Sequence, residues 1–244
     1  AAGTADIDLG ARTVTVTQET RYPWDGAVTI GVAPASPSTF TMHVRIPGWA
    51  RDEAVPSALY RFTDTAPAAA ISVNGERLAV TFTSERSDRV TRRERGSGAP
   101  ASERVGESEG RSPSVEFDKG YVSITREWRA GDTIQLSLPM PVRRVVADDR
   151  VAANRGRVAL QRGPVVYAAE WPDHPDGKVR NVVLSDARTL TAEYRPDMLN
   201  GVVAITGQAA GLAYDETGAV QKREQRFVAI PYATWANRGR GQMA

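Results

Sequence analysis

The feature that most restricts what this chain can fold into is a hydrophobic period of two. In Thr13-Val14-Thr15-Val16-Thr17, polar and apolar β-branched residues alternate strictly. A strand with one buried and one wet face needs that pattern. Ala27–Val32 and Phe40–Ile46 repeat it on either side of Pro34 and Pro37, and Tyr121–Trp128, Asp132–Leu138 and Val142–Val146 continue it. Beyond Arg157, strands are expected at Val158–Gln161, Val165–Glu170, Val179–Leu184, Leu190–Tyr194, Val202–Thr206 and Phe227–Ile230. Turn chemistry separates them. Tyr22-Pro23-Trp24-Asp25-Gly26 sets Pro early and Asp-Gly late, as a tight turn does. Asn74-Gly75 lies between Ile71-Ser72-Val73 and Glu76–Phe82 and supplies two residues tolerant of positive φ, the demand of a type I′ hairpin. The one helical turn expected lies around Asp148–Ala153, with Asp148 or Asp149 as its N-cap. Short strands with turn signals about every 8–12 residues predict an all-β fold of antiparallel β-sandwich or jelly-roll-like domains.

A chain of 244 residues can hold one large β-domain or two smaller ones. The richest stretch for deciding is Leu138 to Trp171, where prolines and glycines bracket β-branched runs and arginines sit at the seams. It reads as a hinge between a first domain, residues 1–142, and a second, residues 143–244. Its arginines read as clamps on turns and carboxylates. Ser84 to Ser114 is different in kind: seven Arg, six acidic residues, no aromatics, and Val90 and Val105 as the sizeable apolar residues. Such a segment buries too little surface to offset its ordering entropy. It is expected to be a mobile charged insertion joining a strand that ends near Thr83 to one that begins near Val115.

Composition excludes several function classes. With no cysteine there is no disulfide, no thiolate metal site and no Cys nucleophile. A net charge of +2 is too small for a nucleic-acid footprint. Only Lys119, Lys178 and Lys222 are lysines, so 28 of the 31 basic residues are arginines, a bias typical of a GC-rich genome. No apolar run approaches the ~20 residues of a membrane helix. No signal peptide is visible, and a bacterial cytoplasmic setting is expected. The ends, Ala1-Ala2-Gly3 and Gln242-Met243-Ala244, read as those of a fragment of something longer.

Each candidate site has a plainer reading. Gly106-Glu107-Ser108-Glu109-Gly110 matches a nucleophile elbow, but the elbow needs a strand before Ser108 and a helix after it, and the charged insertion offers neither. His43 sits in a strand and is expected to face solvent or pack on a sheet face. His174 lies in a loop with Asp173 and Asp176, where turn chemistry explains the acids better than a hard-cation site does. Asp148, Asp149, Glu53 and Glu170 could supply a glycosidase pair, yet nothing sets two of them across a sugar. Trp24, Trp49, Trp128, Trp171 and Trp235 could stack on sugar rings. Of these, Trp128 ends a clean strand and is expected in the core, while Trp24 and Trp49 adjoin turns and are expected to staple sandwich ends. Gly239-Arg240-Gly241 is too short for a phosphate loop. No catalytic and no metal residue is assigned, and no sugar-binding residue can be named.

Together these motifs identify a family. Tyr22-Pro23-Trp24-Asp25-Gly26, Arg45-Ile46-Pro47-Gly48-Trp49-Ala50, Val73-Asn74-Gly75, Gly120-Tyr121 and Trp128-Arg129-Ala130-Gly131-Asp132 occur in order. Leu138-Pro139-Met140-Pro141-Val142-Arg143, Arg157-Val158-Ala159-Leu160-Gln161-Arg162-Gly163-Pro164, Ala229-Ile230-Pro231-Tyr232 and Trp235-Ala236-Asn237-Arg238-Gly239 follow. The chain resembles the C-terminal β-rich half of glycoside hydrolase family 127, the β-L-arabinofuranosidase-like proteins. The resemblance spans nearly the whole chain outside the Ser84–Ser114 insertion. It implies a parent with an N-terminal (α/α)6 barrel, in which a zinc-bound cysteine is the nucleophile and a glutamate the acid/base. Those residues belong to the barrel, and none can be carried onto this cysteine-free chain. The resemblance places the chain's start just after the barrel and its end one strand short of the family's usual terminus. The expected role is an accessory, non-catalytic portion, inactive alone, with no cofactor of its own. Its expected partner is the helical catalytic domain of the same parent, and a second copy of the chain is left open. The alternatives are a free-standing carbohydrate-binding or protein-interaction module, and a structural domain without a ligand.

Overall fold

The computed structural model describes residues 2–10, 12–80 and 114–244, without the side chain of Asp176. The region expected to form the charged insertion therefore lies, but for Ser114, outside the described residues, as does Ser108. The described residues hold strands and short 3-10 turns and no α-helix, so the protein is all-β with antiparallel sheets. Among the described residues no helix is long and apolar enough to cross a membrane. The chain divides into two compact units, 1–61 with 65–139, and 62–64 with 140–244.

The first unit contains β1 (Gly3–Asp8), β2 (Thr13–Thr20), β3 (Ala27–Pro34), β4 (Ser38–Arg45) and the start of β5 (Tyr60–Phe62). It continues with β6 (Ala70–Val73), β7 (Glu76–Arg77), β8 (Ser114–Asp118), β9 (Tyr121–Trp128) and β10 (Asp132–Ser137). One sheet runs β1-β2-β3-β10-β6-β7 and a second runs β4-β9-β8. Both contribute to a single apolar core: Val14, Val32, Ile71 and Ile134 from the first, Val44, Val122, Ile124 and Trp128 from the second. The alternation in β2 is the cause, because every second side chain of a strand points to the same face. Trp128 is fully buried and donates its indole N–H to the Phe40 carbonyl at 3.0 Å. Asn74 (φ 51°) and Gly75 (φ 83°) make the β6–β7 turn with both residues at positive φ. The Asn74 side chain also donates to Asp132 Oδ1 at 2.8 Å and accepts from the Thr133 amide at 2.8 Å, tying the turn to β10. The described part of the arm after the turn is shorter than the Glu76–Phe82 expectation, since β7 covers two residues.

The second unit holds β11 (Val142–Ala147), β12 (Ala159–Arg162), β13 (Val165–Ala168), β14 (Val182–Val183), β15 (Leu190–Arg195), β16 (Val202–Tyr214) and β17 (Val220–Pro231). They join in one antiparallel path, β14-β16-β17-β13-β12-β11-β5, with β15 also on β16. Its core gathers Leu160, Tyr167, Val179, Ile205, Phe227 and Ala229. Phe62–Asp64 belongs to this unit, where the Thr63 amide donates to the Arg144 carbonyl at 3.0 Å. Arg143, 4% exposed, sits over the Phe62 ring at 3.5 Å and donates to both the carboxylate and the carbonyl of Asp64. Arg144 donates to the Ser185 and Arg188 carbonyls at 3.3 and 2.7 Å. The seam arginines do clamp loops, as their positions suggested.

Two expectations need correction here. The turn after β11 is a 3-10 helix at Ala152–Asn154 whose N-cap is Val151, with no side-chain capping bond. Asp148 instead accepts from the Arg150 amide and guanidinium two residues on, a local bond that competes with capping. The expected strand Val179–Leu184 shrinks to Val182–Val183. The Val179 amide is taken by the Gln242 side chain at 3.1 Å rather than by a neighbouring strand.

Candidate functional site

The residues singled out in the sequence scatter. His43 is exposed on β4 and pairs with Ser123 Oγ at 2.9 Å. Glu53 pairs with Arg51 at 3.2 Å, and Asp148 with Arg150 at 2.7 Å. Asp149 offers its carbonyl, not its carboxylate, to Arg155 at 3.1 Å. Trp24 and Trp49 are half-buried in the first unit, Trp49 against its core.

One place in the second unit does collect them. Glu170, Trp171, Trp235, Gly239, Arg240, Gly241 and Gln242 line a cleft of about 350 Å³, with Asp173 and His174 behind its wall. The chain builds this cleft by bringing its last residues back to the end of β13. Ala169 and Ala244 exchange both backbone bonds, at 2.7 and 3.1 Å, and the Trp171 amide donates to the Gln242 carbonyl at 3.0 Å. Gly241 is required there: a Cβ on it would lie 2.0 Å from Cδ1 of Trp171.

Arg238 holds the wall. Its guanidinium donates to Glu170 Oε2 at 2.7 and 2.9 Å, and to the two Asp173 oxygens at 2.9 and 2.6 Å. The Asp173 hydrogen bonds, ahead of those from Glu170, raise its already high pKa, so the charge is permanent. The other Glu170 oxygen accepts from the Ala236 amide at 2.5 Å. That bond stabilises Ala236 at φ 63°, a conformation costly for any residue with a Cβ. Glu170 is thus 3% exposed with both oxygens occupied. His174, buried beneath, shares a 2.9 Å bond between Nδ1 and the Glu170 carbonyl and meets the Phe227 ring edge-on at 5.7 Å. Asp173 is therefore a partner of Arg238. The described residues contain no group of three His, Cys, Asp or Glu able to hold a metal.

Trp235 is 43% exposed and stacks on Tyr232, with ring centroids 6.1 Å apart and planes 26° apart. The sequence reading missed Arg238, Tyr232 and Gln242 as parts of a site. The motifs Pro231-Tyr232 and Trp235-Ala236-Asn237-Arg238-Gly239 contained two of them, but only pairing with β13 brings them to Glu170 and Trp171.

The described residues thus form two antiparallel β-units, the second bearing a cleft lined by Trp171 and Trp235. Residues 142–244 match the glycoside hydrolase family 127 C-terminal domain, and residues 2–97 match the β-L-arabinofuranosidase, GH127 middle domain. The chain belongs to glycoside hydrolase family 127. A non-reducing end β-L-arabinofuranosidase from Bifidobacterium longum is 31% identical over 99% of this chain and 31% of its own length. A solved family 127 β-arabinofuranosidase superposes with a TM-score of 0.80 at 31% identity, over 99% of this chain and 32% of that one. A β-L-arabinofuranosidase from Geobacillus stearothermophilus T6 does so at 0.73 and 33% identity, over 99% and 31%. The chain thus spans about a third of the length of the relatives it matches.

Proposed function

We propose that this chain is the accessory, non-catalytic β-portion of a β-L-arabinofuranosidase-like hydrolase, and that it packs against a helical catalytic domain of the same parent. The observation that carries the reading is the order of the matches. The family's middle and C-terminal domains follow one another here, and together the chain covers about a third of relatives named as β-L-arabinofuranosidases. The chemistry of the side chains supports it. A retaining or inverting glycosidase sets two carboxyl groups about 5–10 Å apart across the sugar. In the cleft, Glu170 has both oxygens committed to Arg238 and Ala236, and Asp173 is also held by Arg238.

The zinc centre that the family resemblance implies does not fit this chain's donors. There is no cysteine in the sequence and no metal-holding cluster among the described residues. Any such ion belongs to the helical domain. The test is direct. The purified chain, incubated with an aryl β-L-arabinofuranoside, should release no more phenol than buffer does, and sustained turnover would overturn the proposal.

A further inference from the structure

We propose that the cleft beside Trp235 is a binding subsite for a single sugar ring, recognised by indole stacking and by the Arg240 guanidinium. Trp235 lines the cleft while 43% exposed, and Tyr232, which is not among the lining residues, stacks on its ring. Sugar rings present a face of C–H groups, and a flat aromatic surface of this kind is what they pack on. The polar side of the recognition is Arg240. It lines the cleft, is exposed, and makes no hydrogen bond or ion pair among the described residues. Its planar fork of donors matches two neighbouring ring hydroxyls, or the carboxylate of a sugar acid. Gln242 also lines the cleft, its side-chain oxygen accepting from the Val179 and Arg180 amides.

The shape agrees with one ring rather than a long chain. A volume of about 350 Å³ lies at the lower end of small-ligand sites. The walls are preformed, because Arg238 ties Glu170 to Asp173, and Gln242 and Ala244 are bonded back to Trp171 and Ala169. Preorganised walls reduce the ordering cost of binding. The lining carboxylate, Glu170, is saturated, so the site binds without cleaving. The inference goes beyond the accessory role proposed above and does not depend on it: its failure would leave that role intact, and turnover by the chain would leave this site intact.

The test is calorimetric and fluorescence titration of the full 244-residue chain with L-arabinose, methyl β-L-arabinofuranoside, D-galactose and D-galacturonate. Saturable binding in the millimolar range, about 1–10 mM, is expected for at least one of them. Trp235→Ala should weaken it about tenfold or more, and Arg240→Ala severalfold, with unchanged circular dichroism. Tyr194→Ala, at another exposed aromatic of the same unit, should leave it unchanged. Preference for galacturonate that Arg240→Ala abolishes assigns an acidic sugar, and its absence a neutral one. No saturable binding of any probe up to about 50 mM, or an affinity unaltered by Trp235→Ala, overturns the proposal.

Discussion

Gly26 is a residue whose lack of a side chain the first unit requires. It closes the Tyr22–Gly26 turn, and its carbonyl accepts from the Leu138 amide at 2.9 Å. A Cβ there would lie 1.8 Å from the Leu138 carbonyl oxygen, a backbone atom that cannot swing aside. Gly26→Ala should therefore destabilise the first unit by about 3 kcal/mol or more, read as a lower urea midpoint. Gly3→Ala is the control, since nothing lies within 4 Å of its added Cβ, and it should change stability by less than about 0.5 kcal/mol. The Asp-Gly pair marked a turn in the sequence, but it did not show why glycine is obligatory. That reason is a neighbour more than a hundred residues away. The same holds for Asn74: its positive φ follows from the hairpin signal, while its two bonds to β10 follow from sheet order. Trp128 was legible as core because the alternation of β9 ends on it.

Among the elements, the β16–β17 hairpin departs furthest from its pattern. Val202–Thr206 and Phe227–Ile230 were visible as strands because they alternate or run apolar. The strands continue to Tyr214 and start at Val220 through a stretch exposed on nearly every residue of β17. Polar residues wet on both faces carry no hydrophobic period, so only backbone pairing reveals them. The turn joining them is organised by Asp215. Its carboxylate accepts from the Thr217 hydroxyl at 2.6 Å, the Gln221 amide at 2.8 Å and the Ala219 backbone at 3.0 Å. These bonds, Thr217 first, hold the Asp215 pKa at about 2. A free aspartate titrates near ~3.9. Because the folded value is the lower one, Asp215 adds stability above about pH 4 that is lost as the pH falls through about 2. A carboxyl NMR titration should find Asp215 still charged near pH 3, and Thr217→Ala should move its midpoint up towards the ordinary value. A midpoint indifferent to that substitution would mean that Thr217 does not hold the carboxylate.

For the molecule as a whole, the second unit is not one continuous piece of chain. Phe62–Asp64 is part of it and covers the Arg143 guanidinium with a ring, a carboxylate and a carbonyl. A fragment of residues 140–244 would leave that guanidinium without these partners. It should melt lower than the second unit does in the intact chain by an amount corresponding to about 2 kcal/mol. That figure is below the usual loss for a buried pair, because the Asp64 side chain is itself 49% exposed. Arg143→Met in the fragment should recover part of the loss, since it removes a buried charge that no longer has Asp64 beside it. Equal melting temperatures by calorimetry would show that the clamp adds nothing.

The sequence by itself determined the class of the protein, all-β with antiparallel sheets, and its family. Alternation and turn chemistry act over two to five residues, and a series of short motifs in order is specific where each one alone is not. Only the tertiary structure decided which aromatics and acids meet. Trp171 and Trp235, 64 positions apart (235 less 171), line one cleft because β17 pairs with β13 and the last residues return to Ala169. Glu170 and Asp173 became an anchor for Arg238 rather than a pair across a cleft. Contacts of that kind depend on strand order and register, and no local pattern of residue types encodes either.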